Sequence, residues 1–106
     1  MNIKVCETPF SKVRGLMFSR RKNLLFVYSK PTFVNLHMLF VFFSADALYL
    51  DEHMMIVDMI HMKPFRCGYR AEYSAVYILE VTEKHSFSVG DRLVVNESEI
   101  SKALQG

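Results

Sequence analysis

The chain has 106 residues, the length of a single domain with one hydrophobic core. Its content of 51% hydrophobic and 23% charged residues excludes a disordered chain, and its net charge of +2 is too small to require an anionic partner. The longest apolar run, residues 38–43, is too short for a membrane-spanning helix, and the sequence starts without a secretory signal. We therefore expect one soluble, cytoplasmic domain over residues 1–106, with no membrane contact.

The first third of the chain predicts a strand, a helix and a second strand. Residues 2–6 alternate between apolar and polar, which is typical of a strand. Thr8 and Pro9 are the residue types of a helix N-cap and first turn, and apolar residues recur at helical spacing, so we predict a helix over residues 8–17. Residues 24–28 predict a strand that residues 29–32 should break.

The central third contains the most apolar stretch. Residues 37–43 are rich in β-forming residues and predict a strand that is covered on both faces. Residues 44–46 predict a bend, and residues 47–50 predict another short strand. Residues 51–53 predict a hairpin turn into a strand over residues 54–62, so this pairing should be antiparallel.

The last third continues the β pattern. We predict a connection over residues 63–73, a strand over residues 75–82, a turn at residues 89–91, a closing strand over residues 92–96 and a short terminal helix over residues 98–104. The predicted fold is α+β and mostly antiparallel β. It is a small sandwich or partly closed barrel with the one N-terminal helix packed on it.

Asp46 interrupts the apolar segment and indicates where a ligand site would lie. An unpaired buried carboxylate would cost several kcal/mol, so this group must be solvated, hydrogen-bonded or held for chemistry. The structural interpretation is favoured: Asp46 accepts backbone N–H groups in the bend, or pairs with Arg14 or Lys12 to hold the helix on the sheet. If there is a ligand site, we expect Arg14, His37 and Asp46 to bind a small anion or a peptide carboxylate.

Two further classes of function stay open. A small hydrolase could use His37 as a base and Asp46 to orient it, although no Gly-x-Ser-x-Gly motif is present and no catalytic residue is assigned. A nucleic-acid binder could use the basic cluster formed by Lys12, Arg20, Arg21 and Lys22. A solvated surface is the favoured interpretation of this cluster, because the overall basicity is slight.

The sequence favours neither a metal nor a cofactor. The possible metal ligands are scattered and lack a recognised spacing: His53, His61, Cys67 and His85, with Asp51 or Asp58. His61 is expected to cap a strand end. Cys6 and Cys67 form no CxxC pair, so we expect two reduced, largely buried thiols, with one long-range disulfide as the alternative.

Four short motifs in register resemble a known family. They are GLM at residues 15–17, HMLFVFFSADALYLD at residues 37–51, YILEV at residues 77–81 and GD at residues 90–91. Their order and spacing are similar to those of the domain of unknown function 192 family, in its archaeal-type variant. Within the central segment the matching positions are Met38, Asp46, Leu48, Leu50 and Asp51.

This resemblance implies a small, mostly β fold of sandwich or barrel type with one N-terminal helix, and it implies no established reaction. The Lys-Asn-Thr triplet of many bacterial members is absent, because Leu39, Phe40 and Val41 occupy its place. We expect a non-enzymatic binding or accessory module. Self-association is possible through a sheet edge or a Phe patch.

Overall fold

The computed structural model describes residues 1–7, 22–36, 38, 41–65 and 69–103, which form seven strands in two sheets. The strands are β1 (Lys4–Cys6), β2 (Leu24–Thr32), β3 (Ala45–Leu50), β4 (Ile56–Met62), β5 (Ala75–Val81), β6 (Leu93–Asn96) and β7 (Glu99–Lys102). The larger sheet has the order β1-β2-β5-β3-β4, and β6 and β7 form a hairpin. No described segment is a helix that is long and apolar enough to cross a bilayer.

The predicted antiparallel β fold is confirmed. Within the described residues, all pairings are antiparallel except the one between β1 and β2. The five-stranded sheet does not close into a barrel, because β1 and β4 are its edges. The helix predicted over residues 8–17 lies outside the described residues.

The five-stranded sheet has an apolar core on each face. Side chains alternate along β3, so Ala47 and Tyr49 point into one core and Leu48 and Leu50 into the other. The first core is completed by Met38, Val41 and Phe43, and the second by Leu93 and Ile100 of the β6–β7 hairpin. Central strands β3 and β5 are therefore covered on both sides.

The strand predicted over residues 37–43 is wrong. Its described members are irregular, although Met38, Val41 and Phe43 are buried. The carbonyl of Met38 accepts hydrogen bonds from the N–H of Val41 and from the N–H of Phe65, which follows β4, both at 3.0 Å, and it makes no ladder of strand bonds. An apolar run shows that a segment is buried, but it does not show that the segment joins a sheet.

The bend predicted at residues 44–46 overlaps the start of β3, and the break predicted at residues 29–32 falls inside β2. Strand β3 already begins at Ala45, so Asp46 lies within a strand. Strand β2 continues to Thr32, with a register irregularity between Val27 and Thr32 where the break was expected. Pro31 lies within this irregularity, where residues 28–31 have no register partner in β5, and a bulge is a place where a strand tolerates proline.

The predicted terminal helix is wrong over its described part, because β7 forms there. Glu97 adopts a left-handed φ of 58° and turns the chain, so that β7 pairs with β6 in an antiparallel hairpin. Within β7 only Ile100 is buried. A single buried anchor fits a strand that has one face on the core.

Two predicted turns are confirmed. At the first, Asp51 Oδ1 accepts the N–H groups of His53 at 2.8 Å and Met55 at 3.0 Å, and β4 follows. At the second, Gly90 has a φ of 96°, and Asp91 Oδ2 accepts the N–H of Ser88 at 2.9 Å. Both carboxylates replace backbone acceptors that the turns lack.

Candidate binding site around Asp46

Asp46 lies near the start of β3 with a histidine on each side. The hairpin register places His61 of β4 directly across from Asp46, and Val81, the last residue of β5, lies across from it on the other side. His85 follows β5 in the next loop. Since cross-strand partners share a face, Asp46 and His61 project from the same side of the sheet.

Both oxygens of the Asp46 carboxylate contact an imidazole. His61 Nδ1 lies 2.6 Å from Oδ1, and His85 Nε2 lies 2.6 Å from Oδ2. The backbone N–H of Phe87 donates to His85 Nδ1 at 3.1 Å. Because Nδ1 of His85 accepts that bond, its Nε2 carries the proton and donates it to Asp46.

The two histidines differ in exposure. The His85 side chain is 7% exposed, and its ring stacks on that of Phe87 with centroids 5.4 Å apart. The His61 side chain is 62% exposed. His61 donates through Nδ1 to the carboxylate, which leaves Nε2 on the solvent side as an acceptor when the ring is neutral. His85 therefore holds Asp46 in place, and His61 presents a group outward.

The hydrogen bonds keep Asp46 ionised. Burial raises the pKa of this carboxyl, but the hydrogen bonds from His61 and His85, with the electrostatic attraction of both side chains, outweigh that effect and leave the pKa below its usual value. Asp46 is thus a carboxylate whose negative charge is shared between two N–H donors.

An open cleft of about 550 Å³ surrounds this group. Its walls combine apolar side chains with charged ones of both signs. The lining residues are Ser44, Ala45, Asp46, Met59, His61, Val81, Thr82, Glu83, Lys84, His85 and Phe87. The cleft can thus take a small polar ligand against an apolar floor.

Of the predicted ligand-binding residues, Asp46 lines this cleft, whereas Arg14 and His37 lie outside the described residues. Lys12, Arg20 and Arg21 of the predicted nucleic-acid surface also lie outside them. Lys22 lines a second cleft of about 320 Å³ with Asn2, Ile3, Lys4, Asn23 and Glu83. Since Glu83 lines both clefts, the two are neighbours on the surface.

Sequence reasoning missed the roles of His61 and His85. It considered both as metal ligands, but among the described residues no three His, Cys, Asp or Glu side chains are grouped to hold a metal ion. His61 could not be found by counting the hairpin register from the predicted turn, because a register shift between Tyr49 and Leu50 changes which residue of β4 lies across from Asp46. His85 follows its strand in a loop, and no local pattern links it to Asp46.

A second acid, Glu80, lies in the strand predicted over residues 75–82, and the sequence pattern predicts no further role for it. It lies on β5 between Leu24 and Ala47, is 5% exposed and projects from the opposite face to Asp46. Burial raises the pKa of Glu80 to about 7. It belongs to the core and not to the cleft.

Two crystal structures resemble this fold. A protein of unknown function from Novosphingobium aromaticivorans superposes with a TM-score of 0.69 at 15% identity, over 76% of this chain and 61% of that one. A putative transcription regulator from Sinorhizobium meliloti gives 0.65 at 18% identity, over 76% of this chain and 67% of that one. At such identities the likeness concerns the fold alone.

Sequence relatives come from archaea. A UPF0127 protein of Thermococcus sibiricus is 31% identical in an alignment of 99 residues that covers 86% of this chain and 64% of that protein. A UPF0127 protein of Pyrococcus furiosus is 32% identical in an alignment of 103 residues that covers 91% of this chain and 88% of that protein. The chain thus matches less than two thirds of the first relative and most of the second.

The family model agrees with these relatives. The model of DUF192, described as "Uncharacterized ACR", matches residues 1–95. The motif order predicted the same assignment. The chain belongs to the domain of unknown function 192 family, also named uncharacterised protein family 0127.

Proposed function

We propose that this chain is a ligand-binding module whose ligand occupies the cleft around Asp46. The observation that supports this is the pair of 2.6 Å hydrogen bonds that fix the Asp46 carboxylate between His61 and His85 inside an open cleft. Polar groups that are oriented in advance lower the cost of ordering a site when a ligand arrives. Arg14 and His37 remain predicted contributors to the same site.

The proposed ligand is a small anion, and a peptide carboxylate is the simplest case. Lys84 supplies a positive charge in the cleft, and the negative charge of Asp46 is already shared by two imidazole N–H groups. Protonated His61 would keep Nδ1–H on Asp46 and offer Nε2–H to the ligand. Glu83 in the same lining opposes an anion, so the positive charges of Lys84 and of protonated His61 must outweigh it for an anion to bind.

An NMR titration with sodium acetate tests this proposal, with acetamide as the neutral probe of similar shape. At pH 5.5, where histidine side chains are ordinarily protonated, acetate should shift the amide signals of residues 44–46 and 81–87 and saturate in the millimolar range. The His61→Gln and Lys84→Ala variants should each weaken this binding several-fold. His53→Gln is the matched control, because His53 is exposed on the hairpin turn beside Glu52.

Two results would count against the carboxylate site. One is an equal response to acetamide, which would show that charge is not recognised. The other is unchanged acetate binding in His61→Gln, which would place the anion elsewhere.

The proposal also includes the finer features of the fold and the cytoplasmic location. Parallel neighbours β1 and β2 need a crossover connection, usually a helix, which supports the helix predicted over residues 8–17. The core shared by the β6–β7 hairpin and the larger sheet supports a small sandwich. The cytoplasmic location stays a prediction that rests on the two cysteines, which form no CxxC pair.

A further inference from the structure

The hydrogen bonds around Asp46 fix the proton position on His61. The Phe87 N–H sets the tautomer of His85, His85 donates to Oδ2 of Asp46, and Oδ1 is left to take the Nδ1 proton of His61. The lone pair of a neutral His61 therefore lies on Nε2. That atom belongs to a ring whose side chain is 62% exposed at the edge of the cleft.

This is the arrangement of an oriented base. A carboxylate that holds Nδ1–H keeps the imidazole in one tautomer and stabilises the imidazolium that forms when Nε2 takes a proton. Asp46 is itself fixed by His85, which is 7% exposed and packed on Phe87. Groups that are held in this way pay less reorganisation cost when charge develops.

We propose that neutral His61 is a general base and that the cleft hydrolyses small carboxylic esters. Nε2 takes a proton from water while the water oxygen attacks the ester carbonyl carbon. The carbonyl electron pair moves to its oxygen, close to the positive charge that Lys84 supplies in the cleft. When the tetrahedral species collapses, the ester C–O bond breaks and the leaving oxygen takes the proton from Nε2. A carboxylic acid and an alcohol result.

Asp46 is a positioning residue in this scheme. It does not touch the ester, and its effect passes through the orientation and charge of His61. Asp46→Asn should therefore lower kcat while leaving KM unchanged. In the double variant Asp46→Asn/His61→Gln the loss should be no larger than in His61→Gln alone, because the two side chains act as a unit.

The test uses the full chain and 4-nitrophenyl acetate at pH 8, where histidine side chains are ordinarily neutral. Wild type should show saturable hydrolysis. His61→Gln should lower kcat/KM at least about tenfold, a typical lower limit for losing a general base. His53→Gln should stay within about twofold of wild type, since His53 is an exposed histidine away from the cleft.

Three outcomes would overturn the proposal. Equal rates for wild type and His61→Gln would remove the base. An equal loss in His53→Gln would show that exposed imidazoles react without regard to the site. An acetyl adduct that accumulates on His61, seen by intact-protein mass spectrometry, would show a nucleophile and not a general base.

This inference uses the same cleft as the proposed binding function but the opposite form of His61. Acetate binding needs the imidazolium at pH 5.5, whereas ester hydrolysis needs the neutral ring at pH 8. The NMR titration and the kinetic assay can therefore fail separately.

Discussion

Asp46 and Glu80 are two acids on adjacent strands of the same sheet, and their surroundings shift their pKa values in opposite directions. Asp46 accepts from two histidines, and its pKa lies below the usual value. Glu80 lies opposite Ala47 on the other face, and burial raises its pKa to about 7. None of the ion pairs within the described ranges involves Glu80. The comparison teaches that a carboxylate in this sheet stays charged where imidazole donors outweigh its burial, and that burial without such donors favours the neutral form.

The largest expected effect concerns Glu80. Its folded-state pKa is raised, so its contribution to stability is full below the unfolded value and is lost as pH rises through about 7. A rise from 4.5 to about 7 corresponds to roughly 3 kcal/mol in the free energy of unfolding. Glu80→Gln should remove this loss and be more stable than wild type at pH 8. Urea unfolding at pH 5, 6, 7 and 8 measures how the free energy of unfolding of each protein changes with pH.

The control for this prediction is Glu83→Gln, because Glu83 is exposed just after the same strand. Histidines also titrate in this pH range, so the informative quantity is the difference between Glu80→Gln and wild type. If the two proteins lose stability in parallel between pH 5 and 8, Glu80 is charged in the core and the comparison with Asp46 fails.

The next largest effect is a difference in stability between losing the His85 contact and losing the His61 contact of Asp46. Asp46→Ala leaves the buried Nε2–H of His85 without its acceptor, which should cost roughly 2 kcal/mol at pH 7. His61→Ala should cost less than about 1 kcal/mol, because that pair is largely exposed. Thermal and urea unfolding of both variants check this order.

The sign of the pH effect on Asp46 is opposite to that on Glu80. Its pKa is lowered in the folded state, so its contribution is present above the unfolded value and is lost as pH falls through the folded one. The gap between wild type and Asp46→Ala should therefore close in strong acid. A gap that stays constant from pH 7 down to pH 2 would mean that the carboxylate charge does not stabilise the fold.

Much of the fold was predictable because its strands carry local signals. The strands near residues 24–28, 47–50 and 75–82 and the turns at residues 51–53 and 89–91 follow from apolar patterns and turn residues. The strand predicted over residues 37–43 is wrong because the sequence shows that these residues are buried, but not which segments form the central strands of the sheet. Those strands are β3 and β5.

The site was predictable only in part, and the reason is register. A turn of three residues at 51–53 would place Asp58 across from Asp46. The actual loop spans residues 51–55, with Met54 at a φ of 61° and a register shift between Tyr49 and Leu50, so His61 takes that position. A shift of one residue moves every side chain of a strand to the other face, and neither the bulge nor the left-handed Met54 has a sequence signal.

The last effect concerns Asp51, which accepts backbone N–H groups in a turn, the role that the sequence favoured for Asp46. Asp51 Oδ1 accepts the N–H groups of His53 and Met55 and so shapes the loop that sets the β3–β4 register. Asp51→Ala should cost about 1 kcal/mol, typical of losing side-chain acceptors of turn N–H groups. Because the loop aligns His61 with Asp46, the same variant should also perturb the His61 ring signals in NMR spectra. Glu52→Ala, at an exposed position of the same loop, should change neither quantity. An unchanged His61 spectrum in a destabilised Asp51→Ala protein would show that strand pairing alone holds the register, and that the turn acid supports stability without positioning the site.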